Sequence, residues 1–203
     1  YYFQANGNAY KRSDSASTDV ISAKVINGKK YAFDTEGKML YGWVSDGERQ
    51  ADDDAWKTCK YYFGDEDDGA MSVGWRLISI TDDEAEDIQP GDEFWDEDQD
   101  RWFWFKSSGE KQTDKTNKKI NGKRYGFDEY GRMVASWYAD VDEASLSETD
   151  KASGSQGTKA YSEQFMYFST PEDGARYTKG WFRVVPGYYL DAEKYDEDAE
   201  KWY

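Results

Sequence analysis

"INGKKYAFDTEGKMLYGW" at residues 26–43 and "INGKRYGFDEYGRMVASW" at residues 120–137 are two spellings of one pattern. Each opens with Asn-Gly, a pair that tolerates the positive φ angles a two-residue hairpin turn requires. In the first copy this turn joins "AKVI" to "KKYAF". The next connection is "DTEG" or "DEYG", whose glycine can adopt the left-handed conformation that reverses the chain. Beyond it, period-2 alternation places Met39, Tyr41 and Trp43 on one face, as it does Met133, Ala135 and Trp137. Each stretch therefore predicts a meander of three short strands.

Working outward, two further kinds of hairpin flank these stretches, and the same order recurs. "YYFQANG", ending at Gly7, is matched by "FWFKSSG", ending at Gly109. "YYFGDEDDGAMSVGW" at 61–75 is matched by "MYFSTPEDGARYTKGW" at 166–181. The sequence thus predicts an all-β chain of two super-repeats of about a hundred residues, 1–100 and 101–203. Hairpins are expected near 1–12, 24–44 and 59–78, and again near 101–113, 118–138 and 164–185. The first residues read as part of a hairpin and "EKWY" at 200–203 as the start of another, so a fragment of a longer protein is expected.

Composition explains why the hairpin repeats. Only 37% of the 203 residues are hydrophobic, and 18% are Phe, Trp or Tyr, so aliphatic material for one thick core is scarce. An isolated hairpin is marginal in water. Stacking lets each one bury its aromatic face against its neighbour, which predicts a quasi-one-dimensional β-hairpin solenoid. Tyr31, Phe33, Tyr61, Phe63, Tyr125, Phe127 and Phe168 alternate with small or polar neighbours and are expected in this core. Disordered chains are poor in aromatic residues, so this one is expected to fold.

A net charge of −16 repels phosphate backbones and anionic headgroups, which argues against nucleic acid and membrane surfaces as partners. No apolar run approaches the roughly 18 residues of a membrane span. The chain has no histidine, which excludes His-based triads and the common metal sites. Its one cysteine, Cys59, is expected in a buried strand. Forty-two carboxylates guarantee chance pairs at glycosidase-like spacing, but they cluster in hydrophilic runs that cannot raise a catalytic pKa. No catalytic residue, metal ligand or cofactor is therefore read from the sequence.

Acidic insertions separate the hairpins at 45–58, 81–100, 139–164 and 188–201. They are expected to be solvated loops, with some helical turns in runs such as "ADDDAW" at 51–56. A calcium loop at Asp65, Glu66, Asp67 and Asp68 does not match EF-hand spacing.

The pattern Gly-Lys-x-Tyr-x-Phe-Asp-x-x-Gly-x-Met-x-x-Gly-Trp resembles the cell-wall-binding repeats of Gram-positive surface proteins, the family of choline-binding modules and glucan-binding repeats. It covers six hairpins, about half the residues, with the insertions outside it. The resemblance implies a secreted parent protein attached to the cell surface, with ligands held on aromatic side chains between successive hairpins. Other domains of that parent are implied partners.

Within that family a choline box joins the Gly-Trp tryptophan to the tryptophan opening the next strand and a further aromatic, each ring contributing about 0.5–2 kcal/mol by cation–π attraction. The corresponding positions here are the Gly-Trp or Ser-Trp residues Trp43, Trp75, Trp137 and Trp181 and the strand-opening Trp102 and Trp202, with Phe165 in a third opening position, Trp104 as a further ring and Tyr62 and Tyr167 as supporting rings. Lys30 and Arg124 occupy the opening position after Asn-Gly, so a choline box is expected only where Trp75 meets Trp102 and Trp104, and where Trp181 meets Trp202. Trp102 and Trp104 share a strand face opposite Phe103 and Phe105, which makes that pair the best exposed platform unless Glu93–Trp95 covers it. A sugar needs only one exposed ring with polar neighbours. A cell-wall polysaccharide or glucan is therefore the expected ligand ahead of choline, and a spacer whose aromatics serve only stacking is the alternative.

Overall fold

A computed structural model describes residues 1–16, 21–81, 99–138, 166–184 and 201–202. Phe165, Glu93–Trp95, all of the third acidic insertion and most of the second and fourth lie outside the described residues. The elements are β1 (Ala23–Ile26), β2 (Lys29–Ala32), β3 (Trp43–Ser45), β4 (Glu48–Arg49), α1 (Ala55–Thr58), β5 (Tyr61–Tyr62), β6 (Gly74–Ile80) and β7 (Gln99–Phe105). They continue with β8 (Lys115–Ile120), β9 (Lys123–Phe127), β10 (Ser136–Tyr138), β11 (Met166–Phe168), β12 (Arg183–Val184) and β13 (Lys201–Trp202). The described chain is nearly all-β, in small antiparallel sheets of two or three strands.

The Asn-Gly turns form as expected. Asn27 and Gly28 have φ of 49° and 82°, Asn121 and Gly122 have 48° and 86°, and they join β1 to β2 and β8 to β9. The third strand of each expected meander is much reduced. It consists of the single bridges Phe33↔Met39 and Phe127↔Met133, after which the chain turns away. The cause is the residue before each tryptophan of the motif: Gly42, Gly74, Ser136 and Gly180 have φ of 68°, 83°, 56° and 102°. An extended strand cannot run through that conformation, so the alternation linking Met39 to Trp43 is broken. β3 instead pairs with β4 and β5, and β10 pairs with β11. The Gly-Trp motif is thus a switch that hands the chain to the next aromatic strand.

One backbone bond recurs in all six hairpins. The N–H groups of Tyr10, Leu40, Ser72, Gln112, Val134 and Tyr177 donate to the carbonyls of Tyr2, Ala32, Tyr62, Trp104, Gly126 and Tyr167, at 2.7–3.1 Å. A second set ties one hairpin to another. Met71, Lys111, Met133 and Arg176 donate to the carbonyls of Lys30, Lys60, Trp102 and Arg124 at 2.7–2.8 Å. Side chains reinforce the second set: Met39, Met71 and Met133 lie over Gly69, Gly109 and Gly174, filling the space a β-carbon there would need. Even an ion pair repeats. Lys29 Nζ lies 3.2 Å from Asp68 Oδ1, and Lys123 Nζ lies 2.9 Å from Asp173 Oδ1, holding the Asp173 carboxyl below the usual carboxylate range.

Exposed pairs of this kind are worth about 0–1 kcal/mol, whereas fully burying a phenylalanine contributes about 1.5–3 kcal/mol. The aromatic core therefore decides. Phe63, Phe103, Phe105, Phe127 and Phe168 are completely buried and Phe33 nearly so, while Tyr31 and Tyr61 are half-buried.

The chain divides into two compact units. The first comprises Tyr1–Ile78 with Phe103–Gln112, and its core gathers Ala32, Leu40, Val44 and Phe63. The second comprises Ser79–Trp102 with Thr113–Tyr203, where Tyr125, Phe127, Met133, Val134 and Phe168 are buried.

Two expectations need correction. Cys59 is fully buried, but it is the extended residue that ends α1 rather than a strand residue, and burial pushes its thiol pKa up. The first acidic insertion is a solvated loop only in part: Glu48, Arg49 and the run from Ala51 to Asp54 are exposed, and the expected helical turn forms at its end. That turn, α1, buries Ala55 and Trp56, because removing an indole from water is strongly favourable and the preceding Asp52, Asp53 and Asp54 keep their carboxylates exposed.

Candidate functional site

The aromatic side chains between hairpins are placed by the Gly-Trp switch. Because β3 pairs with β5 and β10 with β11, Trp43 comes opposite Tyr62 and Trp137 opposite Tyr167. Each opposing pair meets edge to face. The ring centroids are 4.9 Å apart at 63° for Trp43–Tyr62, and 5.2 Å apart at 76° for Trp137–Tyr167. Trp75 and Trp104, on the paired strands β6 and β7, repeat the arrangement at 5.3 Å and 73°. This is the geometry an aromatic quadrupole prefers.

The corners differ in what lies around them. Trp43 is also 5.4 Å from Phe103 and 6.2 Å from Phe105, both fully buried, and Lys111 Nζ lies 5.2 Å from its centroid. That corner is filled by the protein itself. Burial also pushes the Tyr62 hydroxyl pKa up.

Trp75, Trp102 and Trp104 are half-buried, while Phe103 and Phe105 on the opposite face are buried, as the alternation predicts. The Trp102 carbonyl accepts the Met133 N–H bond. Around Trp137 the aromatic row continues: Tyr167 meets Tyr177 at 5.2 Å, and Tyr177 meets Phe182 at 4.4 Å. Tyr177 and Trp181 are exposed, Trp181 at 79%. Trp202 stands opposite Arg183 in the β12–β13 ladder.

An orthogonal pair of half-exposed rings presents two π faces at a corner. One face suits the apolar side of a pyranose ring; two together suit a small cation. Among the described residues no group of carboxylates or thiols is arranged to hold a metal, and no helix is long and apolar enough to cross a membrane. The Asp65 carboxylate is engaged in its own turn, accepting the N–H groups of Asp67 at 3.1 Å and Asp68 at 2.9 Å.

Sequence reasoning missed Lys111, Trp56, Tyr177 and Phe182. Lys111 was within reach, because it stands two residues after the loop glycine, where Met39, Met71 and Met133 stand in other hairpins. Trp56 had a weaker signal, an Ala-Trp pair ending an acidic run.

No protein-family model matches the chain, and no curated protein does. Several solved structures are similar to it. Choline binding protein F from Streptococcus pneumoniae is 20% identical, over 81% of this chain and 37% of that one, with a TM-score of 0.45. CbpJ from the same organism is 18% identical, over 81% of this chain and 38% of that one, also at 0.45. A truncated alternansucrase from Leuconostoc mesenteroides is 19% identical, over 93% of this chain and 13% of that one, at 0.26. The chain spans well under half the length of either pneumococcal protein.

Proposed function

We propose that this chain is a non-catalytic module that binds a cell-wall or surface glycan and attaches a secreted protein to the cell envelope. Its hairpins stack as a solenoid of two super-repeats, and sugar rings rest on half-exposed aromatics at the joints. The observation that carries this reading is the recurring orthogonal pair, at Trp75–Trp104 and at Trp137–Tyr167, the latter continued by Tyr177 and Phe182. Trp75, Trp104, Trp137 and Tyr167 are half-buried and Trp181 is 79% exposed, so ring surface stays accessible to a ligand at these positions. The sequence pattern supports the same class of ligand.

The Trp75–Trp104 corner also favours a second reading, a quaternary ammonium held between two ring faces. Pull-down on purified cell walls tests attachment directly. Titration with wall polysaccharide, glucan oligomers and choline, followed by tryptophan fluorescence, separates the ligands. Trp104→Ala is expected to weaken saturable glycan binding about tenfold or more, since stacking on one ring is worth roughly 1–3 kcal/mol in comparable aromatic platforms. A folded chain that is silent to all three ligands, and is not retained on walls, would point to a spacer.

A further inference from the structure

The residue two places after the loop glycine is Ala9, Met39, Met71, Lys111, Met133 or Arg176 in the six hairpins. The three methionines lie over a glycine of another hairpin. Lys111 takes a different course. It is 6% exposed, and its Nζ lies 5.2 Å from the ring centroid of Trp43 and 5.9 Å from that of Phe103. The same ammonium donates to the carbonyl of Trp56 and, at 3.3 Å, to that of Lys57. Both carbonyls belong to the last residues of α1, where a helix leaves its C=O groups without intrahelical donors.

Two π faces and two carbonyl oxygens around one buried charge are the surroundings of a bound cation. A buried ammonium is strongly unfavourable unless its environment supplies such partners, so the site is built for positive charge and not merely tolerant of it. The Lys111 backbone is fixed independently, because its N–H donates to the Lys60 carbonyl at 2.7 Å. The side chain is therefore tethered where it can act as a ligand.

We propose that Trp43, Phe103 and the end of α1 form a binding site for a small alkylammonium ion, and that the chain occupies it with its own Lys111. The Trp43 joint then takes no external cation while Lys111 is present. A chain lacking that side chain becomes a receptor for one. The proposal goes beyond the glycan reading and does not depend on it.

Chemical rescue tests it. Lys111→Ala removes the equivalent of n-propylammonium. The thermal midpoint of that variant is expected to rise saturably with n-propylammonium chloride, by mass action on the folded state. Equal concentrations of sodium chloride or n-propanol should not reproduce the rise, the wild type should not respond, and adding Trp43→Ala should abolish the response. Rescue by propanol equal to that by propylammonium would overturn the proposal, as would an equal rise in the wild type or none in the variant. A second measurement uses the unaltered chain. Lys111 is expected to be acetylated at least roughly tenfold more slowly than the exposed Lys38, as access through local opening requires. Equal rates would overturn an occupied site.

Discussion

Trp56→Ala is expected to lower the unfolding free energy by about 3–5 kcal/mol, the usual range for removing a buried tryptophan. Trp56 is 1% exposed, and its ring lies 6.5 Å from that of Phe103 at 65°. It belongs to a helix of one turn, and such a turn has no stability of its own in water. What holds α1 is the burial of Ala55 and Trp56, supported by the Lys111 bonds to its last carbonyls. Without the indole the turn loses its anchor and Lys111 loses two acceptors, so the cost includes an inadequately paired buried charge. The urea midpoint measures the effect. A loss below about 1 kcal/mol would mean that the acidic insertion is the surface loop its composition suggests.

Phe168→Ala is expected to cost about 3–5 kcal/mol in the second unit. Phe168 is completely buried in β11, lies opposite Ser136, and forms the bridge to Arg176. Its ring fills the space left by Gly126, where a β-carbon would lie 2.8 Å from Phe168 Cζ and 2.5 Å from Val134 Cγ2. Gly126→Ala alone is thus overpacking, at about 1–3 kcal/mol. Combined with Phe168→Ala its cost should fall, giving a coupling of about 0.5 kcal/mol or more in a double-mutant cycle. Val134 remains in the way, so the relief is partial. Strict additivity would show that the two residues do not share one packed joint.

Much of this was legible in the sequence because hairpin chemistry is local. Asn27-Gly28 and Asn121-Gly122 announce their turns through the φ values only such pairs adopt cheaply, and the aromatic alternation identified the buried phenylalanines. The Gly-Trp motif was misread for a physical reason. Period-2 alternation assumes an unbroken strand, and a glycine gives no sign in sequence of which conformation it takes. Ser136 makes the point, because it holds φ 56° where other hairpins use glycine, a conformation that costs a non-glycine residue about 1–2 kcal/mol. That the position keeps this conformation without glycine indicates that the switch, not the residue, is required.

The candidate site was legible only in part. Tryptophans could be named from their spacing, and three of them lie edge to face with a second ring, Trp43 with Tyr62, Trp75 with Trp104 and Trp137 with Tyr167. Which corners stay open depends on residues distant in sequence. Lys111 reaches Trp43 from 68 positions away, and no local pattern encodes that.

Hairpins hold one another through a repeated backbone bond reinforced by aromatic and methionine packing. Native-state amide exchange tests it at single residues. The N–H groups of Met71, Lys111, Met133 and Arg176, which cross between hairpins, are expected to exchange within about tenfold of those of Leu40, Gln112, Val134 and Tyr177, which close hairpins internally. Exchange of the crossing amides as fast as that of the exposed turn amide of Gly28, while the internal ones stay protected, would mean that each hairpin stands apart from its neighbours.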